Sequence, residues 1–303
     1  MKGLLATVLA LALAACGEPY HRKDGDWWFH SERMDVPKGE KLVALNGQFA
    51  RSRTQAYYQS LQLAAADAAS FQALGDHHAR DHRVVWFCDT HRDSRDYFTT
   101  KRFDVAEVEG AHPASFQVLS DGEYGRDDAH VFYRGAIVPV KDPASFELLD
   151  RGFARDRVTG YYDRAPVAGS DGPSFAVLGD GYSRDKAQVF FSAMDHHQPG
   201  PGVPRSVPVR GALVASFAIL KQSYAADTAH AYYDGKALPG SPAGLQVLDF
   251  GYAKTPERVF YYGKPVPGAD PASFQILETV TETATAADKA ATYQDLRRTP
   301  KPR

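Results

Sequence analysis

Hydrophobic residues in this chain fall in close pairs separated by polar stretches, not in helical stripes. Adjacent aromatics stand at Trp28-Phe29, Tyr57-Tyr58, Trp86-Phe87, Phe132-Tyr133, Tyr161-Tyr162, Phe190-Phe191, Tyr232-Tyr233 and Tyr261-Tyr262. The steps between first members are 29, 29, 46, 29, 29, 42 and 29, so the two long steps are one unit plus an insertion. Equal steps of this kind mark a repeat protein. Other positions keep the register: a leucine before each doublet from the second onward (Leu45, Leu74, Leu119, Leu149, Leu178, Leu220, Leu248), and Ser-Phe before most of those, as at Ser174-Phe175. Between leucine and doublet lies aromatic-x-x-Asp, as in Tyr124 with Asp127 or Tyr182 with Asp185. Tyr20 to Phe29 reads as a first copy, and Asp288 to Tyr293 as a worn ninth.

The unit predicts short strands. Val131-Phe132-Tyr133 and Val259-Phe260-Tyr261-Tyr262 are β-branched and aromatic, which suits a strand. Gly135, Gly235 and Gly263 follow as turn residues, and Pro265-Val266-Pro267 suits a short edge strand. Asp142-Pro143-Ala144-Ser145 and Asp270-Pro271-Ala272-Ser273 place a capping residue before a proline, which predicts a single helical turn. Because strand neighbours face opposite ways, one aromatic of each pair is expected in the core and the other at the surface or the next unit. A unit is thus two or three short strands and a tight turn. The expected fold is all-β: tandem β-meander repeats forming a solenoid or ring, with short helical turns between strands. One repeat domain of eight to nine units is expected over 16–298, with insertions near 88–103 and 195–209 and a disordered tail over 299–303. Insertions in repeat proteins map to loops on one face, often the binding face.

Asp127-Asp128-Ala129-His130-Val131-Phe132-Tyr133-Arg134-Gly135, Asp156 to Tyr162 and Asp185 to Phe191 resemble the signature of the bacterial DKNYY family, an Asp-Lys start leading to paired aromatics and a glycine. The resemblance runs over nearly all of the chain after residue 16. Lysine follows aspartate only at Asp185-Lys186 and Asp288-Lys289, so the match lies in spacing more than in letters. The resemblance implies an exported repeat protein and carries no catalytic residues with it.

The N-terminus changes the setting. Met1-Lys2 precedes an apolar run from Leu4 to Ala15, which is shorter than the roughly 20 residues needed to cross a bilayer and reads as an export signal over 1–15. Leu13-Ala14-Ala15-Cys16 resembles the lipobox of bacterial lipoproteins, which implies cleavage before Cys16, its acylation and a membrane anchor. Gly17, where an Asp would retain a lipoprotein in the inner membrane, points to the outer membrane and the periplasm. Cys88 is then the one other cysteine, expected as a half-buried thiol or an intermolecular bridge.

Composition excludes some classes. Lys+Arg 35 against Asp+Glu 37 argues against a nucleic-acid binder. Asp81, Asp127, Asp156, Asp185 and Asp227 recur at one position, but Ser52 and Thr255 share it, which favours turn capping over a calcium column. Arg51, Arg80, Arg126, Arg155, Arg184 and Lys254 precede that position; aligned, they are the candidate binding ladder for an anionic polymer or an envelope protein. The alternative is that each pairs with an acid of the adjoining unit. His77, His78, His82 and His91 lie near Cys88, and His196-His197 in an insertion, at spacings that match no closed zinc site. No metal, cofactor or catalytic residue is assigned. The expected function is a lipid-anchored binding or scaffold protein of the envelope; the alternative is an envelope hydrolase acting on glycan or peptide through acids such as Asp127 and Asp128.

Overall fold

The computed structural model describes residues 18–92, 101–197, 200–281 and 284–302. Nine small antiparallel sheets follow one another among them, and helix is confined to two single turns, Pro143–Ser145 and Gly172–Ser174. Each sheet is a meander of four strands in chain order, except the first, which has three. These modules 1 to 9 span 20–33, 43–62, 72–107, 117–138, 147–166, 176–208, 218–237, 246–265 and 275–300. The chain divides into two compact units, 1–137 and 138–303, with the boundary inside the last strand of module 4.

The module has one or two strands more than expected. Four fit because most are two to four residues long and joined by tight turns. In module 5, Glu147–Leu148, Phe153–Arg155, Gly160–Tyr162 and Ala165–Pro166 pair in turn. A small residue stands opposite the first aromatic of the doublet in every such module: Ala50 opposite Tyr57, Gly125 opposite Phe132, Ala154 opposite Tyr161, Ser183 opposite Phe190, Ala225 opposite Tyr232. In module 4 that gap admits the ring of the Ser-Phe motif. At Gly125 a Cβ would come within 2.2 Å of the Phe116 ring, so no side chain fits there.

Strand alternation then builds the core between modules. Phe153 and Tyr162 face forward from module 5, Phe190 faces back from module 6, and Phe175 of the Ser-Phe motif wedges between them. The same aromatic wedge recurs as Phe49–Phe71–Trp86, Tyr182–Phe217–Tyr232 and Tyr252–Phe274–Tyr293. Burying one such ring contributes on the order of 2 kcal/mol.

Three sequence expectations change. In module 8 the strand is Val259–Tyr261, and Phe260, opposite Ala253, is the buried first member; Tyr262 sits in the turn, 46 % exposed. The last step is therefore 28, and three aromatics in a row had hidden the shift. Thr299 and Pro300 are not a disordered tail: they pair with Thr292 and Ala291 in the closing strand. The two insertions are strand extensions rather than plain loops. Val85–His91 pairs with Arg102–Glu107, and Val189–Asp195 with Val203–Pro208, so modules 3 and 6 each project a long hairpin from their last two strands.

Candidate functional site

The repeated aspartate is a latch. Asp127 Oδ1 accepts the N–H groups of Ala129 at 2.8 Å and His130 at 2.6 Å, while Oδ2 accepts His112 N–H at 2.8 Å from the linker before the module. Asp81, Asp156, Asp185, Asp227 and Asp288 repeat the arrangement, and the hydroxyls of Tyr161, Tyr232 and Tyr293 donate to three of them. Ser52 and Thr255 cap the same turn through Oγ atoms. Burial works against ionising Asp288, but the Tyr293 hydroxyl and three N–H donors outweigh it and hold its pKa at about 2. These carboxylates face backbone donors rather than a metal column.

The residue after the latch binds the linker's acid. Arg53 meets Glu40 at 3.0 Å, His82 meets Asp67 at 3.1 Å, Arg157 meets Asp142 at 2.7 Å, Lys186 meets Asp171 at 3.0 Å and Lys289 meets Asp270 at 3.3 Å. Module 4 reverses the charges, with Asp128 on His112 at 2.7 Å. An Asp-Lys step thus has a physical role: the first residue latches the linker's backbone and the second pairs with its side chain. Residues 90–193 match the DKNYY family. No curated protein and no solved structure matches the chain. The DKNYY match spans modules 4 and 5 with parts of 3 and 6, while the same module recurs outside it. His112, Asp127 and Asp128 are also the one group among the described residues whose ligand atoms could gather on a metal ion, within 4.8 Å of one another. In this DKNYY joint they already serve as latch and reversed ion pair. The Asp128 carboxylate, through its hydrogen bond to His112, raises the His112 pKa.

The candidate ladder holds modules together. Arg51 donates to the carbonyls of Ala68 and Ala69, both at 2.8 Å, Arg155 to Phe175 at 3.1 Å, Arg184 to Val214 at 3.4 Å and Lys254 to Phe274 at 2.8 Å. Arg80 reaches Pro113 O, and Arg126 holds the same register opposite Gln117. The partners are mainly backbone carbonyls of the next linker, where sequence reasoning had set acids against a free anionic ligand. Cys16, the proposed lipidation site, lies outside the described residues.

Near Cys88 the histidines do not converge. His77 Nδ1 lies 3.1 Å from Cys88 O, His82 pairs with Asp67, and His78 is buried between Phe87 and Phe116 with both ring nitrogens unpartnered. Burial brings the His78 pKa down to about 4. Cys88 is fully buried in the core of modules 2 and 3, neither half-exposed nor placed for an intermolecular bridge, and burial pushes its thiol pKa well up.

Sequence reasoning missed the concave feature beside the second hairpin. Phe191, Ala193 and Asp195 share one face of strand Val189–Asp195, and Val207 and Arg205 lie opposite on its partner. Together with Asp234-Gly235-Lys236, the turn of module 7, they line a cleft of about 390 Å³ with Met194 and His197 at its rim. The turn is pressed onto the hairpin: a Cβ on Gly235 would come within 2.5 Å of Phe191 Cβ. Burial raises the Asp234 pKa. The sequence signal was present in the long step between doublets, but no residue count says which way a hairpin leans.

Proposed function

We propose that this DKNYY-family repeat protein is a lipid-anchored binding or scaffold module of the bacterial envelope, exported by residues 1–15, acylated on Cys16 and held at the outer membrane facing the periplasm. Its contacts are made where the repeat is broken, at the hairpin of module 6. The observation that carries this reading is the division of labour among polar residues. The repeated Asp, the cation after it and the ladder all bind neighbouring linkers, whereas the hairpin of module 6 opens a cleft with charged walls. The hydrolase alternative draws less support, since Asp127 is taken up by three backbone N–H groups and Asp128 by His112.

Two experiments test it. Metabolic labelling with an alkyne fatty acid should mark the wild-type chain and not Cys16→Ser, and an unlabelled wild type ends the anchoring half. Crosslinking in intact cells with a photoreactive residue in place of His197 should trap a partner. The same residue in place of Ser115, at a regular DKNYY joint, should trap none; equal trapping would remove the hairpin assignment.

A further inference from the structure

The modules that carry long hairpins can be superposed residue by residue. Phe87 corresponds to Phe191, Asp89 to Ala193, Asp104 to Arg205, and the turn Arg134-Gly135 to Asp234-Gly235. In the first joint the turn supplies the filling. Arg134 lies over the Phe87 ring, its Cζ 5.6 Å from the centroid, and its guanidinium binds Asp89 on the hairpin and Glu123 at 3.0 Å. In the second joint the charges are exchanged, with the acid on the turn and the cation on the hairpin. Among the described residues no ion pair joins Asp234 to Arg205, and the space between them is the cleft. Asp234 is half-buried there, and Phe191 and Val207 form an apolar wall.

We infer that this cleft takes a small zwitterion of the amino-acid class with an apolar side chain, its ammonium toward Asp234, its carboxylate toward Arg205 and its side chain against Phe191 and Val207. Such a ligand supplies in one molecule the two charges that the first joint supplies from its own chain. Burial raises the Asp234 pKa, so an ammonium seated there gains more than it would on a solvated acid. Lys236 also lines the cleft, with its charge acting on Asp234, and Asp195, 2.6 Å from His197, stands close enough to Arg205 to feel its charge. A peptide terminus carries only one of the two charges, so a cleft of this volume with both an acid and a cation in its wall favours the free amino acid.

This rests on the binding reading above and names its ligand class. The test uses the full chain in detergent, labelled with ¹³C-methyl methionine. Met194 borders the cleft and Met34 is packed in the core of modules 1 and 2, so one is reporter and the other control. Leucine should move the Met194 signal saturably and leave Met34 in place. Isocaproate, which lacks the amine, and isoamylamine, which lacks the carboxylate, should each bind about tenfold more weakly or worse. Asp234→Asn should erase leucine's advantage over isocaproate, and Arg205→Gln its advantage over isoamylamine. No Met194 shift at about 10 mM leucine, or equal binding of all three compounds, overturns the inference. Fatty-acid labelling and crosslinking are read on separate samples, so a silent cleft leaves envelope anchoring and partner capture to stand or fall by themselves.

Discussion

The joint between modules 3 and 4 and the joint between modules 6 and 7 share one backbone plan and differ in what fills it. Both have a projecting hairpin, a phenylalanine at its base and a glycine turn pressed against that ring. The first is sealed by Arg134 on Asp89 and Glu123; the second leaves Asp234 and Arg205 apart across an open cleft. A second contrast lies behind the turn. Tyr182 bonds Ser223 O at 3.1 Å and accepts Gly235 N–H at 2.9 Å, whereas His78 fills the matching place with no bonded nitrogen. A repeat scaffold can therefore be held constant while a few side chains decide whether a joint is closed or receptive.

The largest expected effect probes what the joints share. Phe116→Ala and Phe217→Ala remove the corresponding wedges, and each should lower stability by about 3–5 kcal/mol in chemical denaturation. A much smaller loss at either would mean that the two joints are not built alike.

Acid should separate them next. His78 is buried and neutral, with its pKa at about 4 against 6.5 for the free side chain. The unfolded chain takes up that proton first, so this contribution is present in full above pH 6.5 and is lost as pH falls toward 4. The whole difference is about 3 kcal/mol, and His78→Phe should flatten that part of the stability–pH curve. An unchanged acid slope in the variant would sink the assignment.

Smaller still is the seal itself. Arg134→Ala breaks a half-exposed pair and should cost about 1 kcal/mol, whereas Asp234→Asn breaks no ion pair and should leave denaturation midpoints unchanged or slightly raised. The finest distinction is functional. Ala193→Asp with Asp234→Arg brings the Arg134–Asp89 pair of the closed joint into the open one, and NMR should show the leucine response of Met194 abolished in a protein of ordinary stability. A double variant that still responds would place the ligand elsewhere.

Much of the fold was legible because short-range chemistry is repeated. The doublets and the recurring Ser-Phe pointed to small β units, the Asp–Ser–Thr exchange to turn capping, and the structure bears out both. The fourth strand was missed because a first strand such as Gln246–Val247 is too short to show a period. The register of module 8 was misread because Phe260, Tyr261 and Tyr262 offer two doublets, and only Ala253 across the ladder selects the first. The candidate site fared less well: Arg155 and its equivalents were legible as a column, but their partners are backbone carbonyls, which no residue pattern announces.

What the sequence determined by itself is therefore the module, its period and the joints that repeat it, since these follow from residues close together in the chain. Tertiary structure decided which polar groups are used up and which are left. Arg134 closes on Asp89 across 45 positions, and Arg205 stays clear of Asp234, because the lean of a hairpin against the following turn sets those distances. Ion pairs act over a few ångströms, so only folded geometry separates a sealed joint from an open one.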